Sequence, residues 1–138
     1  MLQRPQTVYL LLGAALLVAF DSLGSVWSPG VSAVAPVLTA VTYTLGVAAA
    51  VVALGAVFLY KDRPRQRRVI GAAQVLALLV VLPLLAGLFL ATPAEPATAE
   101  PGPYLVALMP LVAFVLLRMV RRGVDRDIAT VRSMDRLR

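Results

Sequence analysis

The chain contains no cysteine and no histidine. Without cysteine there are no disulfides, thiolate metal sites, thioether haem attachments, lipidated cysteines or thiol nucleophiles. Without histidine the usual general base and the commonest metal ligand are both missing. Charge is scarce too, at 14% of 138 residues, where a soluble domain carries about 25%. Twelve of the 13 basic residues are arginine and Lys61 is the only lysine. Beside abundant Ala and Val, that ratio reads as GC-rich coding bias and carries no functional information. These gaps favour a non-enzymatic protein with no cofactor and no metal.

Apolar sequence fills the space instead. Hydrophobic residues make up 60% of the chain, and the mean hydropathy is +0.87. They fall in four blocks, at about 7–27, 36–60, 69–92 and 104–120. A bilayer core about 30 Å thick needs roughly 20 apolar residues as helix. A helix is the open structure that satisfies its own backbone in lipid. The expected fold is therefore all-α: an integral membrane four-helix bundle over 1–120, followed by a basic tail over 121–138. The first block also admits a signal-peptide reading, with Ala33-Val34-Ala35 as a small-residue site. That site lies well beyond the apolar core, and Pro36 follows it, so an uncleaved span is expected.

Charge sets the orientation. Arg4 precedes the first span. Lys61, Arg63, Arg65, Arg67 and Arg68 lie between the second and third, against Asp62. Arg118, Arg121, Arg122, Arg126, Arg132, Arg136 and Arg138 close the chain. The loop Ser28–Ala35 and the segment "TPAEPATAEPGP" have no basic residue. Basic residues in short loops stay cytoplasmic, so both termini are expected inside. Tyr9 and Tyr60 fall near the inner interface, and Trp27, Tyr43 and Tyr104 near the outer one, where such rings prefer to sit. The proline-rich segment is read as an extended, solvated outer linker.

Few residues inside the spans carry chemistry. Asp21 is the only carboxylate there, and an intramembrane acid is a functional candidate by default. Its position two turns before Trp27, beside Ser22 and Ser25, suggests a wetted carboxylate at the outer headgroup boundary. Gln74 is read as a hydrogen-bonding contact between helices. Thr39, Thr42 and Thr44 can return their hydroxyls to the preceding turn. Small residues recur at spacing four (Ala15/Ala19, Gly46/Ala50, Ala49/Ala53, Ala73/Ala77), which permits close helix approach and also arises by chance in an Ala-rich chain. Pro83 and Pro110 are expected to kink their helices.

The basic segments are the candidate contact surface: Arg4, Arg63, Arg65, Arg67, Arg68, Arg132, Asp135, Arg136 and Arg138. Basic residues near a membrane attract anionic headgroups, each adding about 1 kcal/mol. Nucleic acid fits poorly, because no aromatic residues interleave for stacking. Taken as helix, the tail places Val120, Val124, Ile128 and Val131 within about an 80° arc. Asp125 can meet Arg121 and Arg122, and Asp135 can meet Arg132 and Arg138. Such a basic amphipathic helix, continuous with the fourth span or bent at Gly123, can lie in the headgroup plane or dock on a partner.

Both ends also carry a resemblance. "MLQRPQTVYLLL" and "TVRSMDRLR" resemble the opening and close of the small bacterial membrane proteins grouped as domain of unknown function 4293. That family opens with Met-Ile-Gln-Arg-Ile-Gln-Thr before an aromatic residue and a Leu run, and closes on Arg-Ser-x-Asp-Arg-Leu-Arg. Gln3, Arg4, Gln6, Thr7 and Tyr9 match, as do Arg132, Ser133, Asp135, Arg136, Leu137 and Arg138. Pro5 departs from the family's apolar residue. The resemblance implies a bacterial inner-membrane protein and supplies no activity.

Two functions compete. One is an accessory or interaction subunit that uses its basic cytoplasmic face to bind lipid headgroups or a membrane-protein partner. The other is a small proton- or ion-coupled transporter. Small multidrug-resistance transporters are similar in span number and length but use a membrane-buried Glu in the first span, and no span here contains Glu. An enzyme would need paired acids, His or a metal site, and none is visible in the sequence. Gln3, Arg4 and Gln6 are further expected to lie close to the Arg132–Arg138 segment, with Arg4 pairing Asp135.

Overall fold

A computed structural model describes residues 5–91 and 101–135. Five α-helices follow one another: α1 Pro5–Ser22, α2 Gly24–Val34, α3 Pro36–Phe58, α4 Arg63–Ala91 and α5 Gly102–Asp135. There is no strand among the described residues. Three of the helices, α3, α4 and α5, are long and apolar enough to cross a membrane. The pair α1 and α2 is bent by 53°, and makes a fourth such segment if the two halves form one span.

That bend departs from the single helix expected over 7–27. The helix stops at Ser22, and Leu23 takes φ −87° and ψ 18°, outside the helical well. The run "DSLGS" explains it locally, since Asp, Ser and Gly are weak helix formers. Ser22 Oγ donates to the Val18 carbonyl at 2.8 Å, a contact that bends helices. The chain then re-enters a helix where a Ser28–Ala35 loop was expected. Ser, Pro and Gly argue for a loop there, but Trp27 and Val31 lie one turn apart and are both buried, so tertiary packing prevails over propensity. Pro36 then opens α3 at its first position, where its missing N–H costs nothing.

The start of α4 lies six residues before the apolar block at Val69. Asp62 caps it: Oδ1 accepts the Arg65 N–H at 3.0 Å, and the Asp62 carbonyl accepts the Gln66 N–H at 2.8 Å. Gln66 is buried, and its Nε2 donates to the Ala56 carbonyl at 3.1 Å, satisfying one of the last acceptors of α3. One side chain thus ties the end of α3 to the first turn of α4. Gln66→Leu is expected to cost about 0.5–1.5 kcal/mol, the net worth of one hydrogen bond, since the Ala56 carbonyl keeps the Leu59 N–H at 3.3 Å. Unfolding in a detergent titration measures it.

Packing is cyclic. α1 lies against α3 and α5, α4 lies against the same two, and α2 crosses to touch α3, α4 and α5. One core cluster, at the basic end, joins Leu10, Ala14, Leu17, Ala49, Ala53, Ala73, Ala77, Ala113 and Leu117. A second, at the opposite end, gathers Phe20, Val80, Leu84 and Val106 around Trp27 and Val31. Among the small-residue pairs, Ala49/Ala53, Ala73/Ala77 and Gly46/Ala50 are buried, whereas Ala15 is exposed and its spacing to Ala19 is incidental. Outward faces carry exposed Val37, Val51, Phe58, Leu82 and Phe89, a surface suited to lipid. α4 and α5 continue through Pro83 and Pro110. A Cβ at Gly87, one turn after Pro83, would collide with Val31, so Gly87 is the notch that seats α2.

α5 runs unbroken through Gly123 to Asp135. Its apolar arc is divided between two environments. Val120 and Val124 are buried in the core, Ile128 packs against it, and Val131 and Met134 are exposed. The first half of the arc expected to face a membrane or partner is therefore helix–helix packing.

Candidate functional site

The basic end is built where α1, α4 and α5 meet. Arg63 on the first turn of α4 pairs with Asp127 of α5, and Arg67, one turn on, pairs with Asp125. Gln6 of α1 donates from Nε2 to Asp127 Oδ2 at 3.3 Å, and packs on Gly123 with its amide nitrogen 2.8 Å from where a Cβ would stand. One carboxylate thus takes contacts from two other helices. Asp125 and Asp127 stand two residues apart, near 200° around the helix, and meet Arg63 and Arg67 spaced one turn apart. All four side chains are partly solvated, 28–47% exposed, so each ion pair contributes about 0–1 kcal/mol. Their effect is on geometry: they fix the register of α4 on α5.

These pairs revise the sequence reading at several residues. Asp125 reaches Arg67 on another helix where Arg121 and Arg122 of its own were expected. Arg121 instead lies over Gly71 of α4, at 3.4 Å from the site of a Cβ. Asp127 went unremarked in the sequence, although an acid within so basic a segment signals a cross-helix partner. Of the candidate contact residues, Arg63 and Arg67 belong to the ion pairs, while Arg65 and Arg68 are exposed beside them, as are Lys61, Arg118, Arg122 and Arg126. Arg132 and Asp135 lie at the end of α5; Arg4, Arg136 and Arg138 fall outside the described residues, as does Gln3. The expected meeting of the N-terminus with the tail is therefore represented by Gln6 alone, and it meets α5 at Gly123 and Asp127, before the Arg132–Arg138 segment.

A second polar site lies deep between the helices. Asp21 abuts Gly46 so closely that a Cβ there would collide with its carboxylate. Gly46 is the eleventh residue of the 23-residue α3, close to that helix's midpoint. Asp21 thus sits half-buried in a helix–helix contact, in the last turn of α1 before the break at Leu23. Asp21 Oδ1 is buried with no hydrogen-bond partner. Nearby, Trp27 stacks on Phe20, with ring centroids 5.2 Å apart, and lies 5.0 Å from the Tyr43 ring. The Tyr43 hydroxyl donates to Ser28 Oγ at 3.3 Å. Among the described residues, Trp27 Nε1 and Gln74 Oε1 are also buried without hydrogen-bond partners. Thr39, Thr42 and Thr44 do bond their own preceding turns, at 3.4, 2.7 and 2.8 Å.

A family model, Domain of unknown function (DUF4293), matches residues 2–137. The chain belongs to this family. The match takes in Gln3–Tyr9, the closing motif up to Leu137, all five helices and the ion-paired end of this DUF4293 protein. Neither a curated protein nor a solved structure matches it.

Proposed function

We propose that this DUF4293 protein is a non-enzymatic four-span bundle of the bacterial inner membrane, with both termini in the cytoplasm. In this reading it is an accessory or interaction subunit that engages anionic headgroups and a membrane-protein partner through its basic face. One observation carries the proposal: Asp127 and Asp125 take up Arg63 and Arg67, leaving exposed Arg65, Arg68, Arg122 and Arg126 around a rigid, ion-paired helix junction. Arginines presented on ordered helices suit carboxylate or phosphate recognition. In-cell crosslinking followed by capture in mild detergent tests it. A stoichiometric partner is expected for the native chain and should fall at least about tenfold when Arg65, Arg68, Arg122 and Arg126 are changed to Gln, the loss of about 1.4 kcal/mol. Undiminished capture by that variant, at equal membrane abundance, contradicts it.

The second reading, a small proton- or ion-coupled transporter, draws support from Asp21 at the midpoint of α3. Coupled flux in liposomes that is lost in Asp21→Asn would favour it over the first.

A further inference from the structure

We propose that the outer edge of the α4–α5 seam is a seat for one anionic phospholipid. Arg118 and Arg121 hold its phosphate, and its acyl chains run along the apolar faces beside them. This deepens the proposed role of the basic face and rests on that face engaging anionic headgroups.

The seam is laid out in register. α4 and α5 run antiparallel, so Arg67 meets Asp125 and, four residues further along α4, Gly71 meets Arg121. Gly71 has no side chain, and the Arg121 guanidinium lies across that gap, 3.4 Å from where a Cβ would stand. Arg121 is half-buried there. Arg118 precedes it by three residues, so it stands beside it on the same side of α5, and it is exposed. Arg68, three residues before Gly71, flanks them from α4 and is also exposed.

The chain offers these cations no carboxylate. Asp125 is taken by Arg67 and Asp127 by Arg63, while Asp62 caps α4. Asp21 abuts Gly46, in the middle of α3. Asp135 stands fourteen residues beyond Arg121 on the same helix, about 21 Å along its axis. Among the described residues, neither Arg118 nor Arg121 has an ion-pair partner. Their counter-anion comes from outside the chain.

The surroundings select that anion. Arg118 lies inside the apolar block 104–120, and Gly71 lies just inside the block 69–92. Val75 continues the face of Gly71, and Val115 and Leu111 continue the face of Arg118; all three are exposed. A free phosphate would use the arginines and leave this apolar strip uncovered. A phospholipid joins a phosphate to acyl chains and covers both. Guanidinium groups bind phosphate oxygens through paired N–H donors, and basic pockets between helices suit anionic headgroups. Arg121 already rests on Gly71, so binding has less side-chain freedom to remove.

Native mass spectrometry of the full-length protein in mild detergent tests the seat, with phosphatidylglycerol and phosphatidylcholine of identical acyl chains as probes. The wild type should retain one phosphatidylglycerol with about 25-fold preference, about fivefold from each arginine. Arg118→Gln and Arg121→Gln should each lower that preference about fivefold. Gly71→Leu keeps every charge and should act like Arg121→Gln, because its side chain takes the place of the guanidinium. Arg118 is exposed, so the Arg118→Gln result does not depend on how Gly71→Leu packs. Changing Arg65 and Arg126 together to Gln removes two exposed charges elsewhere on the basic end and should leave the preference unchanged. Glycerol phosphate in excess should not displace the lipid. Equal retention of the two lipids overturns the seat. Displacement by glycerol phosphate makes it a free-anion site and overturns the lipid. A Gly71→Leu chain that binds like the wild type overturns the placing of Arg121. An equal loss in the Arg65 and Arg126 variant keeps general headgroup attraction by the basic face and overturns this seat. Selective retention beside a failed partner capture overturns the interaction role and keeps the seat.

Discussion

Trp27→Ala should be the most destabilising single truncation, costing on the order of 3 kcal/mol, the low end of the range for Trp→Ala in cores. Trp27 is 1% exposed, the largest fully buried side chain, and the centre of the Phe20–Trp27–Tyr43 stack. The low end applies because lipid tails are as apolar as a core, so burial saves no water contact. What is lost is dispersion: the cavity leaves the rings of Phe20 and Tyr43 and the side chains of Val80 and Leu84 without partners. The same substitution removes a buried N–H that has no acceptor, which offsets a little of the loss. Reversible unfolding in mixed detergent micelles measures the effect. A change under about 0.5 kcal/mol, the size of a neutral surface substitution, would mean that α2 does not pack as described.

Gly87→Val should be the second. Its side chain would occupy the space of Val31, so either α4 shifts or α2 leaves its seat, at about 1–3 kcal/mol for overpacking. Labelling of a cysteine at Val31 should rise in this variant. Gly55→Val is the matched control, because a Cβ at Gly55 meets nothing within 4 Å. Equal labelling in the two variants would show that Gly87 is not a notch.

Much of this architecture was legible in the sequence. The all-helical fold and the apolar helices α3 and α4 followed from block length alone, because a lipid-exposed backbone has one open solution. Membership of the family was legible in the two ends, Gln3–Tyr9 and Arg132–Arg138. What the sequence hid was three-dimensional. The break at Leu23 leaves only a weak trace, since Asp, Ser and Gly also occur inside continuous helices. The contact of Asp21 with Gly46 depends on how α1 packs against α3, which a residue count does not contain. The Arg63–Asp127 and Arg67–Asp125 pairs join residues about sixty positions apart, so spacing along one helix pointed Asp125 at the wrong arginines. The tail's arc of Val120, Val124, Ile128 and Val131 is divided between core and surface. Half of it, Val120 and Val124, serves the core because α1 and α4 extend further along α5 than the apolar blocks indicate.

The proposed topology has the chain cross the bilayer with its basic end inside. The direct measurement is thiol labelling in intact cells with an impermeant reagent, using single cysteines at Ala97 and Ser133 of a chain that has none of its own. The account predicts labelling at Ala97, and at Ser133 only after the cells are opened. Labelling of Ser133 in intact cells with Ala97 protected would contradict it.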